Sequence, residues 1–267
     1  MRSFDGARIA YRSFGRGPGI VIVHGGVSSS NDLLSLGRAL SGRLPVLVMD
    51  RRGRGGSDPP GADYCLAREY RDAAAVLSAT ASFALFGHSY DALVALGTAR
   101  ELPLRRLIVY DPPILVAATA QRLLPEYRAA LAAGDYVEAY RRIVVGLDVL
   151  HGISDRVFAD HLRANVVPTP GWQELRRLLD AGARELEEGA KVPTEPSAYR
   201  SIPADTLLIV GAESAEFIRR SVEMLGAALR SSRVVTLPHQ GHTAVLEIPA
   251  EIARIIAEFL GTAGAGT

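Results

Sequence analysis

The sequence predicts an α/β fold: a mostly parallel central β-sheet flanked by helices, with an inserted α-helical segment. Three observations predict it. Short apolar, β-branched runs alternate with longer amphipathic stretches as far as Tyr110. That rhythm stops after Asp111-Pro112-Pro113, and from about Ile114 to Tyr199 only helical patterns broken by Pro and Gly occur. It resumes at Thr206 and runs to Leu260. Strands alternating with helices call for a parallel sheet covered on both faces.

Taken in order, Met1–Phe4 and the weakly alternating Ala7–Phe14 read as a hairpin across Asp5-Gly6. Ile20–Val23, Val46–Met49, Ser82–Phe86 and Leu107–Tyr110 are apolar on both faces, as buried parallel strands are. Between them, Asp32–Leu40, Leu66–Ala79 and Ala92–Leu102 read as helices with one apolar stripe. In the insertion, helices are expected at Leu123–Ala133, Tyr136–Leu150, Ser154–Ala164 and Trp172–Glu188. Thr206–Val210 and Val234–Leu237 read as strands, and Ala215–Leu229 and Pro249–Leu260 as helices. Gly261–Thr267 is a small-residue tail, expected to be mobile. The expected division is a core of residues 1–111 and 201–267 and a helical insertion of residues 112–200.

Composition narrows the function classes. Of 267 residues, 48% are hydrophobic and 22% charged, which is too apolar for disorder. Lys and Arg number 30 against 29 Asp and Glu, so neither nucleic acid nor an anionic membrane is an expected partner. Cys65 is the one cysteine, no Cys/His group has zinc-ligand spacing, and neither a metal nor an organic cofactor is expected. No apolar run approaches the ~20 residues of a membrane span, and the first residues, MRSFDGARIAY, lack the apolar stretch of a signal peptide. A cytoplasmic location is the expectation. Lys191 is the only lysine, and arginine-rich, Ala- and Gly-rich composition points to a high-GC bacterial genome.

Three short segments carry chemistry. Phe83–Asp91 reads FALFGHSYD and leads into the helical ALVALGTAR, so Ser89 falls on a sharp strand-to-helix turn. Such a turn exposes the serine Oγ as a nucleophile, and small neighbours permit the bend. The plain alternative for Ser89 is a helix N-cap. His24-Gly25-Gly26 follows an apolar strand. Glycine there lets a backbone N–H approach a developing oxyanion, so the amides of Gly26 and Tyr90 are the expected donor pair. His24 reads as a hydrogen-bonder that shapes the loop. Asp50-Arg51-Arg52-Gly53-Arg54-Gly55 reads as a charged turn flooring the site, since it lacks the Lys-Ser/Thr of a phosphate loop. Near the end, Pro238-His239-Gln240-Gly241-His242 places a histidine after a late strand, where a general base reaches an elbow serine. His242 is preferred over His239.

Together, HGG at 24–26, DRRGRGGSD at 50–58, GHSYDALVAL at 87–96, TLLIVGAES at 206–214 and QGHTAVLE at 240–247 resemble the α/β-hydrolase fold family. The resemblance spans about Ala7 to Leu260, and the insertion stands where that family carries its helical lid. It implies a Ser-His-acid triad of Ser89, His242 and a carboxylate. Ser89 separates the chain from the dehalogenases and epoxide hydrolases, which are similar but use aspartate at that place. The family commonly sets the acid a few residues after the strand matching Thr206–Val210; here Ser214 takes that slot, with Glu213 beside it. Other members take the acid from the end of the preceding strand, where this chain has Asp111. Asp111 is the preferred acid and Glu213 the alternative.

Asp91 departs from the family pattern, which calls for glycine two residues after the serine. An anion in the first turn of a helix suits the helix dipole. Yet a carboxylate roughly 6 Å from an oxyanion opposes it by about 2–3 kcal/mol at an effective dielectric near 20, or about a hundredfold in rate. Asp91 must therefore point away or be neutralised, or the reaction forms no ordinary oxyanion. The leading expectation is hydrolysis of an ester, lactone or thioester of a small, largely apolar molecule. The alternative is a lyase, cyclase or cofactor-free oxygenase in which His242 and Asp111 abstract a proton and Asp91 serves as a further acid or base. A non-catalytic receptor for small molecules ranks third.

Overall fold

The computed structural model describes residues 1–150 and 154–261. Seven strands, β1 (Tyr11–Phe14), β2 (Ile20–Val23), β3 (Val46–Met49), β4 (Ala84–His88), β5 (Arg106–Tyr110), β6 (Asp205–Gly211) and β7 (Ser232–Leu237), form one sheet. Their order is β1-β3-β2-β4-β5-β6-β7; β1 runs antiparallel to β3 and every other pair is parallel. The chain moves outward from β2 to β3 and then restarts on the other side of β2 at β4. A crevice therefore opens at the carboxyl ends of β2 and β4, the usual place for a ligand site in such sheets.

Period-2 alternation along the inner strands explains why they are apolar on both faces. Val21, Val23, Leu85, Val109 and Leu208 pack against α2 (Leu66–Thr80), α3 (Tyr90–Glu101) and α8 (Glu216–Ala228). Ile20, Ile22, Phe86, Ile108 and Ile209 pack on the opposite side, against α1 (Leu34–Ser41) and α10 (Pro249–Leu260). Between β5 and β6 lie α4 (Ala117–Ala132), α5 (Tyr136–Gly146), α6 (Asp155–His161) and α7 (Gly171–Gly189), with their own apolar cluster around Leu123, Tyr127, Ile143 and Leu179. A four-residue helix, α9 (Ala244–Glu247), follows the loop after β7. Among the described residues no helix is long and apolar enough to cross a membrane.

Several elements differ from expectation for identifiable reasons. The N-terminal hairpin is reduced to one antiparallel bridge, Arg2 with Arg8, because Tyr11–Phe14 finds a longer ladder at the edge of the sheet. An isolated short hairpin is marginal in water. The helix expected over Asp32–Leu40 is split into a 3-10 turn at Ser30–Leu33, where Ser29 N–H donates to Asp32 Oδ2 at 2.8 Å, and α1 proper. In the insertion, α4 begins six residues before the expected Leu123 and accommodates Pro125 in its interior, and α5 stops at Gly146. α3 shows no exposed face over Tyr90–Ala99, since α2 and α7 cover the side turned away from the sheet. The expected tail lies, from residue 262 onward, outside the described residues.

Phe86 is fully buried at the centre of the sheet, on the strand that delivers Ser89. Phe86→Ala should cost about 3–5 kcal/mol of folding stability, measured by urea denaturation as a lower midpoint with unchanged slope. A loss below about 1 kcal/mol would contradict the packing described.

Candidate active site

Three segments from the carboxyl end of the sheet meet in the crevice. β4 ends at His88, and Ser89 turns the chain into α3 with φ 56° and ψ −125°. A serine in that region carries strain of order 1–3 kcal/mol, and the bend is tight enough to demand glycine at Gly87. A Cβ there would stand 2.1 Å from the carbonyl oxygen of Asp91. Ser89 N–H donates to Tyr110 O at 2.9 Å, which fastens the turn to β5.

The turn holds Ser89 Oγ 2.8 Å from His242 Nε2, and His242 Nδ1 lies 2.8 Å from Asp111 Oδ2. Asp111 follows β5 directly, has φ 50° and is fully buried. It also accepts from Ser214 Oγ at 2.6 Å and from Gly211 N–H at 3.2 Å. Ser214 thus stands at the slot where the family commonly sets an acid and donates its hydroxyl to Asp111 instead. Glu213 is exposed, its backbone N–H bonded to Gln240 O at 2.9 Å. His239 is exposed as well and takes no part in the arrangement.

The loop of His242 is anchored from below. Tyr110 donates its hydroxyl proton to Gly241 O, and His88 Nε2–H donates to His242 O at 3.0 Å. His88 stacks on Tyr110 and lies 4.8 Å, ring to ring, from His242. Burial, reinforced by His242, pushes the pKa of His88 well below the usual histidine value, so it stays neutral and serves as a hydrogen-bond donor. Gly26 and Tyr90 are neighbours across the crevice: a Cβ on Gly26 would stand 3.4 Å from Tyr90 Cβ. Both line a cavity of about 600 Å³ together with Ser89 and His242. Its remaining walls are largely apolar, from Leu93 and Phe217 of the core and from Tyr140, Leu178 and Leu186 of the insertion.

Beneath this surface lies an ionic cluster. Arg51, fully buried, donates through Nη1 to both oxygens of Glu69 (3.0 and 2.9 Å) and through Nη2 to Glu185 Oε1 at 2.7 Å and Gly25 O at 3.1 Å. Its Nε lies 2.9 Å from Asp91 Oδ2, but the N–H is off line, so neither Asp91 oxygen accepts a well-formed hydrogen bond. Arg54 Nη2 also donates to Glu185 Oε1 at 2.7 Å. Three carboxyl groups thus face two guanidinium groups, and one proton makes the cluster neutral. Burial raises the pKa of Glu69 as well as Asp91, but Glu69 accepts two hydrogen bonds from Arg51 and Asp91 accepts none, which assigns the proton to Asp91. Burial raises Asp91 well above the ordinary aspartate pKa; Arg51 only partly offsets this, and Glu69 and Glu185 add to it. Burial acts upward on Glu185 too, but Arg51 and Arg54 outweigh it and hold that group below its usual value. His24, fully buried, lies 3.0 Å through Nδ1 from Gly25 O and accepts from Arg51 N–H at 3.4 Å. Burial and the two arginines keep it neutral, in the loop-shaping place expected of it.

The structure brings the expected Ser89, His242, Asp111, Gly26 and Tyr90 to one crevice and places Glu213, the alternative acid, outside it. Glu69 and Glu185 have no part in the expectation from sequence. Glu185 had a signal: it falls on the buried stripe of α7 between Gly182 and Leu186, where a charge needs a partner.

Residues 20–255 match the family model of the Alpha/beta hydrolase family. Among solved structures, an alpha/beta hydrolase from Sphaerobacter thermophilus is 28% identical, with a TM-score of 0.78 over 97% of this chain and 99% of that one. A thermophilic esterase from Thermogutta terrifontis is 20% identical with a TM-score of 0.71, covering 98% of this chain and 96% of the other. The enol-lactonase from Burkholderia xenovorans is 18% identical with a TM-score of 0.72, covering 96% and 98% respectively. At those last two identities the likeness is one of fold.

Asp91 sets a pH signature. A carboxyl whose folded pKa is raised contributes its full stability below the unfolded value, near 3.8. That contribution is lost as pH climbs toward the folded value. Asn in its place does not titrate. Relative to Asp91→Asn, the wild type should therefore lose stability as pH rises from about 5 to about 8, by at most ~1.4 kcal/mol per pH unit. Denaturation of both proteins at the two pH values measures it; a difference between wild type and variant that stays constant over that range would mean an ionised Asp91.

Proposed function

Because this chain belongs to the alpha/beta hydrolase family, we propose that it is a serine hydrolase cleaving an ester, lactone or thioester of a small, largely apolar substrate. The observation that carries the reading is the unbroken relay from Ser89 Oγ through His242 to Asp111, each link 2.8 Å long. Ser89 attacks the acyl carbon as His242 Nε2 takes its proton. The imidazolium is steadied by Asp111, and the proton passes to the departing alcohol or thiol. The amides of Gly26 and Tyr90 hold the negative charge that develops on the carbonyl oxygen. Water, deprotonated by His242, then releases the acid and restores Ser89.

The segment 112–200 acts as a cap on the core formed by 1–111 and 201–267, and its apolar wall takes the hydrocarbon part of the substrate. The cavity of about 600 Å³ suits a small ligand. The esterase and the enol-lactonase of like fold support acyl-transfer chemistry. The proton-abstraction alternative drew on Asp91 as an extra acid or base. Asp91 is fully buried against Arg51, beyond the reach of a substrate, and that alternative loses its support.

Hydrolysis of p-nitrophenyl butyrate and octanoate by wild type and variants tests the reading. Asp111→Asn should lower kcat by about 10³–10⁴, while Glu213→Gln should stay within about twofold of wild type. If Glu213→Gln is the crippled variant, the acid has been misplaced; if neither matters, the relay is not used.

A further inference from the structure

Glu185 belongs to the insertion, yet its carboxylate reaches the backbone of the Gly25–Ser28 loop. It is 4% exposed and lines the cavity beside Gly26. Its Oε2 accepts from Val27 N–H at 3.3 Å and would stand 3.3 Å from a Cβ on Gly26. Its Oε1 takes both Arg51 Nη2 and Arg54 Nη2 at 2.7 Å. Those arginines hold the same loop, Arg51 through Gly25 O at 3.1 Å and Arg54 through Ser28 O at 3.2 Å. Three backbone groups in four residues are thus fixed by Glu185 or by the partners it grips. The loop needs fixing, because Val27 has φ 47°, an outlier for a β-branched residue.

We propose that Glu185 is a positioning residue through which the helical insertion sets the oxyanion-binding loop, aiming the Gly26 amide by accepting from Val27 N–H and clamping Arg51 and Arg54. The inference rests on the serine-hydrolase reading. Its consequence is that α7 is a fixed part of the catalytic frame and more than a wall for the substrate. A donor displaced by about 1 Å is worth about a hundredfold in rate, and the loss falls on the transition state, because a loosely held ester carbonyl draws little on that donor. Gln in place of Glu185 keeps one acceptor oxygen, which serves either Val27 N–H or the two arginines but not both, because its NH2 end only donates.

The test compares Glu185→Ala and Glu185→Gln with wild type on p-nitrophenyl butyrate, together with amide hydrogen exchange of the peptide containing Gly25–Ser28. Glu185→Ala should lose about 30- to 100-fold in kcat with KM within about threefold, and exchange at Val27 should accelerate. Glu185→Gln, which keeps one of the two acceptor oxygens, should lose less than Glu185→Ala while staying below wild type. Should Glu185→Ala fail to fold, Arg54→Gln, which removes one grip on Glu185 and the bond to Ser28 O, should show the same fall in kcat and faster exchange. Unchanged kcat with unchanged exchange, or a loss confined to KM, would overturn the role. If wild type itself neither hydrolyses the ester nor takes a serine-directed label, the hydrolase reading fails; exchange at Val27 then decides the clamp by itself, unchanged exchange overturning it.

Discussion

Arg51 is the constraint on which the site depends. A guanidinium taken wholly out of water loses several kcal/mol of hydration, and it is tolerable here because separate parts of the chain converge on it. Glu69 comes from α2, Asp91 from the first turn of α3, Glu185 from the insertion, and Gly25 O from the loop after β2. The same guanidinium lies 5.0 Å from the centre of the Tyr90 ring. Removing one partner of such a buried group is costly, typically about 3–5 kcal/mol, so these segments hold their mutual places as a set. The serine turn, the facing loop and the insertion are thereby located by one side chain that never meets the substrate.

The cluster also answers the problem posed by an acid where glycine is the rule. An ionised Asp91 would oppose an oxyanion at the Gly26 and Tyr90 amides. With three carboxyl groups on two arginines, and with Glu69 and Glu185 taking the well-directed hydrogen bonds, Asp91 is the group left to keep its proton. His24 and His88 are neutral for a related reason, burial beside other cations or beside His242. Under the proposed acyl-transfer reading, a carbonyl between the Gly26 and Tyr90 amides then has surroundings close to uncharged, and the two amides meet no competing charge.

Much of this was legible along the chain. Ile20–Val23, Val46–Met49 and Pro249–Leu260 occupy the residues expected of them, because local periodicity and capping decide their extent. The serine turn was legible because Gly87 and Ser89 sit between an apolar strand and a helix. What sequence leaves open is decided at long range. Asp111 and Glu213 both follow strands, and only the pairing of β5 with β6 shows that Asp111 faces His242 while Ser214, 103 residues away, supports it. The full burial of α3 depends on α7, and the place of Glu185 depends on Arg51, 134 residues earlier. The buried stripe of α7 marks Glu185 as a charge in need of a partner, but no local pattern says that the partner is Arg51.

Intact mass after exposure to a fluorophosphonate shows whether Ser89 is an activated nucleophile with a working oxyanion site. A single adduct is expected on the wild type, absent from Ser89→Ala and strongly slowed in His242→Gln. An unlabelled wild type, or an adduct that survives Ser89→Ala, would mean that Ser89 is not that nucleophile.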